Sequence, residues 1–343
     1  MRKESTLTIL GCLVVFILLV GCAQESNVQA VNAEQSVAKE GANAEKNIST
    51  EVDNQSDSDF KVTLLGTGSP IVSSERFSNS TLVEVAGQKI LFDVGRGSTL
   101  RLNEIDVSPG MIDKLFITHL HHDHTMGFDD LLITGAAVPD PRGTREGNLQ
   151  VWGPKGTEDW VNNTILSYKA DIDVRNRVEG ATIDADVHEF EEGVVYENDG
   201  VEVIAFEVDH GPMEPAFGYR INYNGHSVVI SGDTTFSENL IEFAQGVDLL
   251  IHEVVVVKAG VDEAYKSEAH KNIEGYHTTP EQAGEIFNRV KPKLAAYTHL
   301  AILIPESEAN IKERTEKIYD GEVVVGEDLM SFEVGDEIIV RQP

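Results

Sequence analysis

The chain has 343 residues, with 58 acidic against 27 basic side chains and a net charge of −31. At that charge general electrostatic attraction to nucleic acid is missing, and long-range repulsion slows the approach of a polyanion. The only two cysteines, Cys12 and Cys22, lie near the N-terminus, so the rest of the chain offers neither a disulfide nor a thiolate metal ligand.

Arg2 and Lys3 precede an apolar run from Leu7 to Val20, short for a membrane span and suited to the core of a signal peptide. It ends Leu19-Val20-Gly21-Cys22, which resembles the lipobox of bacterial lipoproteins. That resemblance implies cleavage after residue 21, lipidation of Cys22 and an extracytoplasmic location at the bacterial cell envelope. Residues 22–59 after the cysteine contain no aromatic residue until Phe60 approaches, and are dominated by Ala, Asn, Gln, Ser, Glu and Asp. Such a composition buries too little apolar surface to repay ordering, and reads as a tether. Residues 60–343 are long enough for one large core.

Within that domain, Leu64-Leu65-Gly66-Thr67-Gly68-Ser69-Pro70 reads as a strand and its end turn; Gly66-x-Gly68 lacks the rest of a dinucleotide fingerprint. Leu91-Phe92-Asp93-Val94-Gly95-Arg96-Gly97 follows. The apolar run Lys114 to Thr118 has the content of a short buried strand, and the next residues, His119-Leu120-His121-His122-Asp123-His124, form the pattern H-x-H-x-D-H. Side chains alternate along an extended chain, so His119 and His121 can share one cation while Asp123 and His124 fall beyond the turn. A mixed His/Asp cluster suits two adjacent zinc or related ions. A helix is expected over Phe128 to Ala137, and the Pro- and Gly-rich loop Val138 to Gly147 is a candidate for the substrate rim.

Further candidates end other apolar runs. Val201 to Val208 leads into Asp209-His210-Gly211, Ser227 to Ser231 into Gly232-Asp233-Thr234, and Leu294 to Thr298 into His299. A carboxylate such as Asp233 can bridge two ions, which one imidazole nitrogen cannot. His252-Glu253 follows a strand from Val247 to Ile251. His277 precedes Thr279-Pro280, where Thr279 is a good N-cap, Pro280 suits the first helical position and Gln282 completes a capping box. Ala283, Ile286, Phe287 and Val290 make an apolar helical stripe.

These motifs closely resemble the metallo-β-lactamase superfamily, and within it the branch of ribonuclease Z and metal-dependent arylsulfatases. The resemblance covers most of the chain after residue 60. It implies an α+β or α/β architecture, a four-layer αβ/βα sandwich with the metals at one edge. It also implies two Zn2+ ions (with manganese or iron accepted by the same donors), one held by His119, His121 and His210, the other by Asp123, His124 and His299, with Asp233 between. The expected nucleophile is a hydroxide shared by the two ions, with Asp123 counted among the catalytic groups. Glu253 and His277 resemble that branch's His-Glu and His-Ser/Thr motifs, which implies that they protonate the leaving oxygen; a plain helix-entry role is the alternative for His277. His122, His188, His226 and His270 receive no role.

The expected activity is hydrolysis of a small phosphodiester or aryl sulfate by a lipid-anchored enzyme. The alternatives are ribonuclease Z-like endonuclease activity, lactonase activity, or a metal-binding lipoprotein without turnover. Transfer-RNA processing fits poorly with the charge, with the absence of an obvious basic Gly/Pro-rich arm between His124 and His210, and with Leu300-Ala301-Ile302 where that family continues Ser-x-Arg-Tyr. Expected partners are therefore a small anionic or aryl ester and, through the lipid, a membrane, with nucleic acid disfavoured; a homodimer is compatible with the sequence. Arg96, Arg142 and Arg145 are candidates for gripping an anionic substrate, with a solvated surface role as the alternative for each.

Overall fold

The computed structural model describes residues 59–258, 260, 266–304 and 308–343. The signal-peptide, Cys22 and tether expectations lie outside the described residues. Among these, no helix is long and apolar enough to cross a membrane.

The first half runs β1 (Phe60–Gly66), β2 (Ser80–Val85), β3 (Gln88–Phe92), α1 (Ser98–Glu104), β4 (Lys114–Phe116), α2 (His122–Thr125), α3 (Phe128–Ala137), β5 (Leu149–Gly153), α4 (Thr157–Ser167), α5 (Lys169–Val174), β6 (Ala185–Glu189) and β7 (Gly193–Asn198). The second runs β8 (Val201–Val208), β9 (Ala216–Tyr223), β10 (His226–Ile230), α6 (Glu238–Phe243), β11 (Leu249–Val257), α7 (Glu268–Gly275), α8 (Pro280–Val290), β12 (Leu294–Ile304), α9 (Glu308–Glu316), β13 (Val323–Val325), β14 (Ser331–Val334) and β15 (Ile338–Arg341). One sheet has the order β15-β14-β1-β2-β3-β4-β5-β6 and the other β13-β12-β11-β10-β9-β8-β7.

Three apolar clusters define the layers. Phe60, Val62, Phe92, Phe116, Tyr219, Ile230 and Ile251 fill the space between the sheets. Leu102, Leu131, Leu132 and Val161 pack helices on one outer face, and Leu240, Ile286, Phe287 and Ile311 do so on the other. This is the four-layer arrangement, with each sheet covered on both faces. Coverage on both faces explains why β11, Leu-Leu-Ile-His-Glu-Val-Val-Val-Val, is buried at every position rather than alternating. At roughly 1.5–3 kcal/mol per fully buried large aliphatic or aromatic side chain, these clusters carry most of the folding drive.

Strands β3, β4 and β5 run parallel, as do β10, β11, β12 and β13, and β8 lies two antiparallel steps from β10 and so shares its direction. Their C-terminal ends therefore open on one edge, the usual place for a site in sheets of this kind. Several expected boundaries shift. The strand Lys114 to Thr118 ends at Phe116, because the Thr118 amide donates to Asp93 Oδ1 at 2.9 Å instead of to a ladder partner. His252 and Glu253 lie inside β11 rather than after it. His299 lies within β12, not beyond its end: Glu253 pairs with Thr298 and Val254 with Leu300, so His299 is the extra residue of a bulge, with φ of 43°. In the loop Val138 to Gly147, residues 138, 139 and 144–147 line a separate cavity with Arg175, Glu179 and Thr182, and none of them borders the cavity over the histidines.

Candidate metal centre

The histidine motif folds as expected for alternating side chains. Leaving β4, the extended segment aims His119 and His121 at the same point, with His119 Nε2 2.9 Å from His121 Nδ1. The chain then turns into α2, whose single turn carries Asp123 and His124. His210, after β8, places Nε2 3.1 Å from His121 Nδ1. Asp233, after β10, sets Oδ2 3.3 Å from His124 Nε2, 3.3 Å from His299 Nε2, 3.7 Å from His210 Nε2 and 3.8 Å from His119 Nε2. The bulge in β12 delivers His299, whose Nε2 is 3.0 Å from Asp123 Oδ2. The structure thus gathers all seven residues into two adjoining groups, His119, His121, His210 and Asp233, and Asp123, His124 and His299, with a third group, Asp233, His277 and His299, sharing one member with each.

The donor set fits cations. Imidazole nitrogens about 3 Å apart in pairs do not all find a proton to share, yet such spacing suits ligands of one ion at about 2.0–2.1 Å from each. His124 Nε2 and Asp233 Oδ1 are buried without a hydrogen-bond partner, a costly state that a cation would relieve. Burial, reinforced by neighbouring histidines, holds His119 well below its ordinary pKa and His121 down at about 4, and burial lowers His210 too; all three stay neutral, the form that offers a lone pair. For Asp123, burial pushes upward, but His124 and the hydrogen bond from His299 win and bring it to about 2.

The orientation of these rings comes from Asp93 and Thr118, which are not themselves among the seven donors. Asp93, in the Asp93-x-Gly95-x-Gly97 turn, accepts from His124 Nδ1 at 2.7 Å, from the Thr118 hydroxyl at 2.9 Å and from Asn79 Nδ2 at 3.1 Å. The Thr118 hydroxyl in turn lies 3.0 Å from His119 Nδ1. One carboxylate therefore sets the tautomers of two histidines, directing both Nε2 atoms into the cluster. His210 Nδ1 donates to the Tyr276 carbonyl at 2.9 Å, with the same effect. The only sequence signal for Asp93 is its place in the glycine-spaced turn. Gly95 is required there because a Cβ would lie 2.4 Å from the Asp123 carbonyl oxygen and 2.6 Å from that of Asn79.

Glu253 and His277 meet beside this cluster. Glu253 is fully buried; its Oε1 accepts from His277 Nδ1 at 3.1 Å and from the Thr278 amide at 2.9 Å. Burial alone would lower the His277 pKa, but the Glu253 carboxylate overcomes it and raises the imidazole to about 9. A His277 ring nitrogen lies within 4.8 Å of donor atoms of Asp233 and His299. The helix-entry reading also holds: Thr279 caps α8 with a full capping box. The cavity above measures about 340 Å3, walled by Pro70, Ile71, Ile273, Tyr276 and Leu303 over the His/Asp floor. His122 is exposed at its edge. His252, on the opposite face of β11, packs against Phe287 in the core.

Two facing mixed sheets with a cation-binding His/Asp cluster at their open edge define a metal-dependent hydrolase of the metallo-β-lactamase fold. The fold is shared with YhfI from Bacillus subtilis, at a TM-score of 0.65 and 20% identity over 80% of this chain and 99% of that one. It is shared too with the short form of human tRNase Z, at 0.57 and 24% over 79% and 98%. A protein named Ribonuclease Z from Mycobacterium sp. (strain KMS) is 33% identical over 286 residues, 82% of this chain and 99% of the relative, and one from Mycolicibacterium gilvum is 34% identical over 282 residues, 80% and 96%. The family model described as Anti-Pycsar protein Apyc1 matches residues 60–285, and the chain belongs to that family of ribonuclease Z-like metallohydrolases.

Proposed function

We propose that the protein is a phosphodiesterase acting on a small substrate with the aid of two cations, zinc by preference. The observation that carries the reading is the buried Glu253–His277 pair set against the His/Asp cluster. His119, His121 and His210 would hold one ion and Asp123, His124 and His299 the other, with Asp233 serving both. Such ions, when bound, activate water at neutral pH and offset charge on the attacked group. The chain's own residues do the remainder. Glu253 keeps His277 protonated through Nδ1, so the imidazolium can donate a proton to the departing oxygen and return as the neutral base. Asp93 and Thr118 hold His119 and His124 in register, and the apolar wall of Ile71, Ile273, Tyr276 and Leu303 limits water around the scissile bond.

Phosphorus is favoured over sulfur because the relatives at a third identity are named for cleaving RNA, a phosphodiester. A small substrate is favoured by the 340 Å3 cavity with its apolar rim and by the charge of −31. The second reading, a ribonuclease Z-like endonuclease, is supported by alignment over 99% of a relative of that name. Anchoring through Cys22, outside the cytoplasm, belongs to the proposal on the strength of Leu19-Val20-Gly21-Cys22. The test is turnover by the purified, zinc-loaded protein of bis(p-nitrophenyl) phosphate, p-nitrophenyl sulfate and a precursor transfer RNA side by side. Fast chelator-sensitive cleavage of the small diester supports the proposal; preferential cleavage of the RNA transfers it to the second reading, and turnover of the sulfate alone overturns it.

A further inference from the structure

The three arginines that could grip an anionic substrate have different fates in the fold. Arg142 is paired with Asp140 at 2.6 Å and with Asp106 at 3.4 Å. Arg145 is buried, donating to the carbonyls of Ile112, Leu131 and Leu132. Arg96 alone of the three is half-buried with no carboxylate within 4 Å among the described residues; its contacts are the Ser78 hydroxyl at 3.5 Å and the Met126 sulfur at 3.4 Å. A guanidinium with no carboxylate against it can offer its fork of donors to an anion.

Arg96 lines a cavity of about 390 Å3 with Phe77, Thr99, Leu100, Met126 and Asp130. Asp130 is engaged by the hydroxyls of Thr99 and Thr134. The Phe77 ring is held in place: Arg101 stacks over it at 4.2 Å, the Phe77 amide donates to Asp328 Oδ2 at 2.7 Å, and on the other side Gly97 leaves space for the ring that any Cβ would take, 2.2 Å from it. This cavity flanks the one over the metal cluster. Residues 69–71 border the catalytic cavity and residues 73 and 76–78 the second one; likewise His122 and Asp123 of α2 face the first, while Met126, its C-cap, faces the second.

We propose that the Arg96 cavity is a second subsite, which binds a phosphate group carried by the substrate beyond its scissile diester, with Phe77, Leu100 and Met126 receiving the adjoining planar or aliphatic part. This rests on the phosphodiesterase reading. Arg96 supplies a planar fork of donors to the phosphate oxygens, and the fixed Phe77 ring lowers the cost of ordering the rest.

The experiment compares kcat/KM of the zinc-loaded wild type, Arg96→Gln and Arg96→Lys on a thymidine dinucleotide with and without a 5′-terminal phosphate, with bis(p-nitrophenyl) phosphate as the diester lacking any distal anion. The wild type is expected to prefer the phosphorylated dinucleotide by about tenfold or more, the ratio for one charge-assisted contact. Arg96→Gln brings the ratio near unity through KM, and Arg96→Lys keeps part of the preference. An unchanged ratio in Arg96→Gln, or no preference in the wild type while the aryl diester is cleaved, overturns the subsite and leaves the phosphodiesterase reading standing. Failure on all three diesters overturns both.

Discussion

Asp93 Oδ2 lies 2.7 Å from Nδ1 of His124, although the two residues are separated by 31 positions and reach each other only because β3 and β4 run side by side. The same carboxylate holds Thr118, and through it His119, so one side chain orients a histidine of each candidate cation site.

Asp93→Asn keeps the shape but offers an amide where two acceptor oxygens are needed. Metal affinity should fall by roughly 10–100-fold, the usual loss when the partner of a metal-bound histidine is removed. Competition with a zinc chelator measures it; affinity equal to wild type would mean that Asp93 is structural only.

Removal of metal should lower stability, since the cluster leaves buried polar atoms without partners. An ion present at a hundredfold excess over its Kd adds about 2.7 kcal/mol to the folded state. Scanning calorimetry of the chelated protein should therefore show a lower melting temperature that added zinc restores, whereas Asp233→Ala should show no such recovery. Identical melting with and without chelator is the contrary result.

In the metal-free protein His277 should titrate near 9 by NMR, against an ordinary imidazole value of 6.5. The folded chain holds this proton more tightly than the unfolded chain does. The stabilisation is therefore fully present below about pH 6.5 and is lost as pH rises through about 9. Glu253→Gln removes the main upward cause, so His277 should titrate lower and the alkaline limb of the holoenzyme's activity should move to lower pH. An alkaline limb unmoved by Glu253→Gln would exclude His277 as the proton donor.

Thr279→Ala takes away the α8 cap, in which the Thr279 oxygen accepts from the Gln282 amide at 3.4 Å and Gln282 Oε1 from the Thr279 amide at 3.0 Å. The expected loss is about 1 kcal/mol in urea denaturation. A loss near zero would show that tertiary packing of Ala283, Ile286 and Phe287 alone fixes the helix start.

Much of this protein is determined by its sequence alone, because the relevant physics is local. The capping box and stripe placed α8, alternation along an extended segment placed His119 and His121 on one side, and the apolar runs located the strands that bring His210 and Asp233 to the edge. What the tertiary structure decided depends on contacts between distant segments. The β12 bulge that ejects His299 is set by pairing with β11, since an unpaired β12 has nothing against which to count an extra residue. Asp93 gains its role only when parallel pairing lays it beside Thr118 and His124. The three arginines look alike in the sequence; only packing determined that Arg145 is enclosed by carbonyls, that Arg142 is paired with carboxylates, and that Arg96 faces a cavity.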